Sequence, residues 1–182
     1  MNEEKQQRKL KIDFSELAYA MEDSAVEHSY YLDLETGRTL MVADETRRQL
    51  EEIYEQSPDA EMGEGDFDLE SSLKELDLPD WQKDVLREAN EIENGFGSRY
   101  ISIPHGDPGD SYSDMVDFID TVLDEHLAEL LGVAIDGKGA FRRFKDVLFN
   151  YPEEEKRWFK YKEDKQYERV MEWLDDTGID IA

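Results

Sequence analysis

Ser29-Tyr-Tyr-Leu-Asp-Leu-Glu-Thr-Gly-Arg-Thr-Leu-Met-Val-Ala43 is the stretch whose reading decides the fold. Residues 29–34 and 39–43 are rich in aromatic, aliphatic and β-branched side chains, and four turn-forming residues separate them. Gly37 can take the left-handed backbone that a short loop requires, so the stretch predicts a β-hairpin over 29–43. A further strand is expected over 99–103, where Pro104 closes the run Arg-Tyr-Ile-Ser-Ile. Pairing that strand with the hairpin gives a small three-stranded antiparallel sheet, which several helices must cover.

Helical patterns surround these strands. Asp13-Phe-Ser-Glu16 has capping-box spacing, and Phe14, Leu17, Ala18 and Met21 follow as an apolar stripe. A second helix is expected over 44–56, with Arg47, Leu50, Ile53 and Tyr54 marking its face. A third begins at Pro79, faces the core through Trp81, Val85, Ala89 and Ile92, and stops at Asn94-Gly95. The C-terminal half reads as all helical. Ser113 is expected to cap one long helix buried through Met115, Ile119, Val122, Leu123, Leu127, Leu130 and Leu131. Gly137 and Gly139 break the chain before a helix over 140–149 with Phe141, Phe144 and Leu148 on one face. Pro152 starts the last helical region, which Val170, Met171, Trp173 and Leu174 anchor and Gly178 ends; a break is expected near 162–164, with Asp164 as a new cap. The class is α+β, in a single domain over 1–182. Residues 1–11 are expected to be a disordered tail and 57–72 a mobile acidic loop.

Composition narrows the function classes. The chain of 182 residues carries 47 acids and 21 bases, a net charge of −26, which disfavours direct binding to phosphate backbones. It has no cysteine, so thiolate chemistry and disulfides are excluded. No run approaches the roughly 18 apolar residues of a spanning helix. The expected setting is the cytoplasm, with no membrane contact.

The charge is uneven. Residues 51–70 and 107–136 each hold nine acids and no Lys or Arg, whereas 138–169 hold ten bases and seven acids. The candidate site lies in that cationic part: Gly137-Lys-Gly-Ala-Phe-Arg-Arg-Phe-Lys-Asp146 places glycines and bases at a helix start. Its candidate binding residues are Gly137, Lys138, Gly139, Arg142, Arg143, Lys145 and Trp158. Arg142 and Arg143 point about 100° apart on a helix, so one of them at most lies centrally over a ligand. Internal ion pairing of these bases is the competing reading.

Other chemistry is weaker. Asp59–Glu70 has acids at loop positions one, three and twelve of a calcium loop, but Glu64 stands where glycine is required. Asp114, Asp117, Asp120 and Asp124 share a helix face without a Glu-x-x-His partner, so a solvated face is expected and no metal. His126 is expected to be partly buried, and His28 precedes the first strand. His105 with Asp107 or Asp110 could move protons, yet no nucleophile elbow, P-loop or dinucleotide motif accompanies it. No catalytic residue and no cofactor are assigned.

Five stretches carry a resemblance: Tyr30-Tyr-Leu-Asp-Leu-Glu-Thr-Gly37, Arg99-Tyr-Ile-Ser-Ile-Pro104, Met115-Val-Asp-Phe-Ile119, Gly137–Asp146 as quoted above, and Trp158-Phe with Trp173-Leu174. In this order they resemble bacterial uncharacterised protein family 158, over about 13–179, with Gly-Ala-Phe-Arg-Arg-Phe-Lys-Asp as the most specific run. The resemblance implies a small bacterial cytosolic protein and carries no catalytic roles; the stretch 57–72 is untypical of it. The expected function is therefore non-enzymatic binding or regulation, with a protein or small anion held by the basic-aromatic segment 138–162. The alternatives are an enzyme using Arg142, Arg143 and His105 on a phosphorylated or nucleotide substrate, and an acidic mimic of nucleic acid. The sequence does not fix an oligomeric state.

Overall fold

The computed structural model describes residues 8–57 and 68–182. Residues 1–7 of the expected tail and 58–67 of the expected acidic loop, with most of the calcium-loop stretch, lie outside the described residues. The described chain, expected as one domain, gathers into two compact units. One comprises Lys9–Ala20, Ala25–His105 and Ile181–Ala182; the other consists chiefly of Met21–Ser24 and Gly106–Asp180.

The first unit contains the sheet. Strand β1 (Arg8–Leu10) and helix α1 (Phe14–Glu22) precede the hairpin of β2 (His28–Asp33) and β3 (Thr39–Ala43). Asp13 caps α1 as the capping-box spacing predicts, accepting from the Ser15 and Glu16 N–H groups. Helices α2 (Asp44–Glu55), α3 (Leu69–Glu75) and α4 (Asp80–Asn94) lead to β4 (Tyr100–Ile103). Strand order is β3-β2-β4, antiparallel throughout, with Tyr30 opposite both Met41 and Ile103. The α+β class and the three-stranded sheet are as the sequence predicts. Period-two alternation puts Leu40, Val42 and Tyr100 into a core with Leu50, Ile53, Leu86, Ala89 and Ile92. Arg47 of α2 donates to the Tyr31 hydroxyl at 2.7 Å.

Asp33 organises the turn. Its side chain accepts from the Glu35 N–H and the Thr36 hydroxyl, each at 2.8 Å, and from Arg99 Nε and Nη2 at 3.1 and 2.9 Å. Gly37 has φ +74°, and a Cβ there would collide with the Lys11 carbonyl. One aspartate thus fastens the hairpin loop to β4.

Two expectations change here. Residues 69–72, read as loop, open α3: Asp68 caps it, and Leu69 and Leu73 are buried. On α4 the buried face is Leu86, Ala89 and Ile92, while Trp81 is 67% and Val85 41% exposed. The face is rotated because Leu86 and Ala89, three apart, stand one above the other.

The second unit is helical: α5 (Pro108–Asp120), α6 (Glu125–Ala134), α7 (Ala140–Leu148) and α8 (Pro152–Thr177), before β5 (Ile179–Ile181). The single long helix capped by Ser113 is instead two. Asp107 caps α5, and Asp124 caps α6 by accepting from the Leu127 N–H at 3.0 Å. Leu123 falls in the connection and is 97% exposed. The expected break at 162–164 is absent, because Asp164 pairs with Lys160 at 2.5 Å along an unbroken α8. Trp158, Phe118, Phe144 and Tyr161 form the centre of the core, with Trp158 4.8 Å from Phe144 and 5.1 Å from Phe118 between ring centres.

Candidate functional site

The turn from α6 to α7 is set by two glycines, Gly137 at φ +77° and Gly139 at φ +80°, the left-handed region that glycine enters without strain. Arg143, one turn into α7, reaches back over it. Its Nε donates to the Ala134 carbonyl at 2.9 Å, Nη2 to that of Asp136 at 2.5 Å, and Nη1 to that of Lys138. Helix ends leave carbonyls without partners, and a planar guanidinium can serve several at once. Arg143 is therefore a clamp on the turn, with its donors engaged inside the fold.

Arg142 turns the other way. Its side chain is 89% exposed, and its ion pair to Asp146 is long at 3.9 Å. Lys145 lies with Nζ 4.4 Å from the Phe141 ring centre, a cation–π contact. Phe141, assigned to the core by the sequence reading, is 41% exposed, and Phe149 is 74% exposed. Phe144 and Leu148 take the burial, which leaves Phe141, Lys145 and Phe149 as an outer stripe at four-residue spacing. Phe149 is the residue that sequence reasoning missed; its spacing of eight from Phe141 was the available signal.

The bases of 156–169 are tied down. Lys156, Arg157, Lys160 and Lys165 pair with Glu153, Glu154, Asp164 and Glu168 along α8. Arg169 and Lys162 converge on Asp114, which is 2% exposed, at 2.6 and 3.4 Å. Asp114 is thus a buried ion-pair partner and no part of a solvated face. Trp158, also 2% exposed, is core and cannot contact a ligand from outside. Of the candidate residues, Lys138, Arg142 and Lys145 remain on the surface with Gly137 and Gly139.

The sequence model of an uncharacterised protein family, UPF0158, matches residues 67–182. The chain belongs to this family. A UPF0158 protein of Pseudomonas aeruginosa, PA5073, is 28% identical over 175 residues, 96% of this chain and 88% of that protein. The likeness thus extends over the sheet-bearing half, ahead of the family match. No solved structure matches.

This UPF0158 member has three histidines. His105 and His126 are exposed, the latter against the expected partial burial, and His28 makes an edge contact with Tyr30 at 5.2 Å. Asp107, the proposed proton partner of His105, accepts from the Gly109 N–H as a helix cap. Among the described residues, no three His, Asp or Glu side chains gather in the manner of metal ligands, and no helix is long and apolar enough to cross a membrane.

Proposed function

We propose that this UPF0158 member is a non-enzymatic binding protein that holds an acidic partner on the outer face of α7. The observation that carries this reading is the exposed stripe of Phe141, Lys145 and Phe149 beside Arg142. Exposed aromatics beside an arginine are the residue types that protein interfaces favour. Within 138–169, Arg142 has only a long ion pair and Lys145 a contact with the Phe141 ring, and the two lie together on one short helix. The candidate surface thereby contracts from 138–162 to α7 and its leading turn. The cytoplasm is the proposed setting, in keeping with a chain that has no cysteine.

The test is affinity capture from a bacterial lysate at low and high salt, comparing the wild type with Arg142→Ala/Lys145→Ala. Arg143 stays intact because its loss would disturb the fold. The expected result is a partner retained at low salt by the wild type and lost in the variant. Identical partner lists would end the proposal.

A further inference from the structure

A second surface, independent of the α7 face, lies beside the end of α6. Tyr112, Glu129, Gly132, Val133, Ile135 and Asp136 line a shallow, open groove there. Val133 is 77% and Tyr112 47% exposed, so the groove presents apolar surface to water. Gly132 stands inside α6, where glycine weakens a helix relative to alanine. A Cβ at Gly132 would meet nothing within 4 Å, and its backbone is not in the left-handed region. Nothing inside the unit therefore calls for glycine, whereas a segment packed closely against α6 would. Asp136, on the rim, is held by the Arg143 clamp through its carbonyl, so one wall is fixed in advance.

From these features we infer that the groove docks a basic segment of another protein that anchors an apolar side chain beside Gly132 and Val133. The charge of the occupant follows from the lining, whose two charged side chains, Glu129 and Asp136, are both acidic. A second copy of a chain with net charge −26 would meet long-range repulsion here, while a basic segment would be drawn in.

Two synthetic probes test this: an amphipathic Leu/Lys helical peptide and an oligolysine of equal charge, titrated calorimetrically at about 0.15 and 0.5 M salt. The amphipathic peptide should bind the wild type at least about tenfold more tightly than oligolysine, and the margin should persist at the higher salt, where screening weakens the common charge term of both probes alike. Gly132→Leu and Val133→Asp should each abolish the margin. Val133→Asp adds negative charge, so its loss of binding would report the apolar anchor. Glu163→Gln/Asp175→Asn, which removes charge elsewhere, should keep the margin. Because Gly132→Leu replaces a poor helix former, its thermal midpoint should not fall, which separates lost docking from lost folding. Equal affinity for the two probes, or a margin that survives both groove variants, overturns the inference. So does sedimentation that detects dimers dissolved by Val133→Asp, which would give the groove to a second copy.

Discussion

Asp33 shows how one side chain can hold a loop, a strand and a charge in place together. The bonds from Arg99 hold its carboxyl well below the usual carboxylate range; burial opposes this, and the Glu35 N–H and Thr36 hydroxyl reinforce it. Since its folded value is depressed, the group binds protons less readily when folded than when unfolded. Its stabilisation is present above the unfolded value of about 3.9 and is lost as pH falls through the lower folded value. Asp33→Asn should cost about 2 kcal/mol at neutral pH, less than a fully orphaned partner would, because Arg99 also pairs with Glu91 at 2.7 Å and Glu35 at 3.2 Å. Urea unfolding from pH 5 down to about pH 2.5 should show the difference between wild type and variant shrinking toward the acid end. A constant difference across that range would mean that geometry alone is responsible.

At the scale of elements, the α6–α7 turn depends on Arg143. Arg143→Ala removes donors from three carbonyls and should destabilise by about 2–3 kcal/mol. Arg143→Lys should recover little of it, since an ammonium cannot span the three acceptors. Chemical denaturation of both variants checks this; near-wild-type stability of the lysine variant would leave the charge, not the fork, as the cause. Such contacts run from side chain to backbone, and no sequence pattern announces them. What was legible were local signals: the Asp13 cap, the Gly37 turn, the alternation of the hairpin, and the arrest of α7 and α8 by neighbouring turns. The division between α5 and α6 was hidden because Leu123 continues the apolar rhythm across a gap that Asp124 imposes as a cap. Helix α3 was missed because only Leu69 and Leu73 mark it within an acidic stretch. The site suffered in the same way: Arg142 and Arg143 look alike in sequence, and only the fold separates the exposed base from the clamp.

Across the whole chain the excess of 47 acids over 21 bases is only partly answered by ion pairs, and the remainder repels itself. Screening should therefore stabilise this protein, because relief of that repulsion outweighs the loss of exposed pairs that are each worth little. Raising sodium chloride from about 0.01 to 0.5 M should lift the thermal midpoint by roughly 5 °C at neutral pH. A fall would mean that the surface pairs dominate. Trp158 offers a way to watch such experiments. Enclosed by Phe118, Phe144 and Tyr161 in the helical unit, it is 2% exposed, whereas Trp81 in the sheet-bearing unit is 67% exposed. One indole is thus shielded from collisional quenchers and emits at shorter wavelength, while another is open to them. The helical unit therefore carries a buried optical label in Trp158, and replacing the half-buried Trp173 and the exposed Trp81 by Phe would leave its emission as a report on the order of that unit alone.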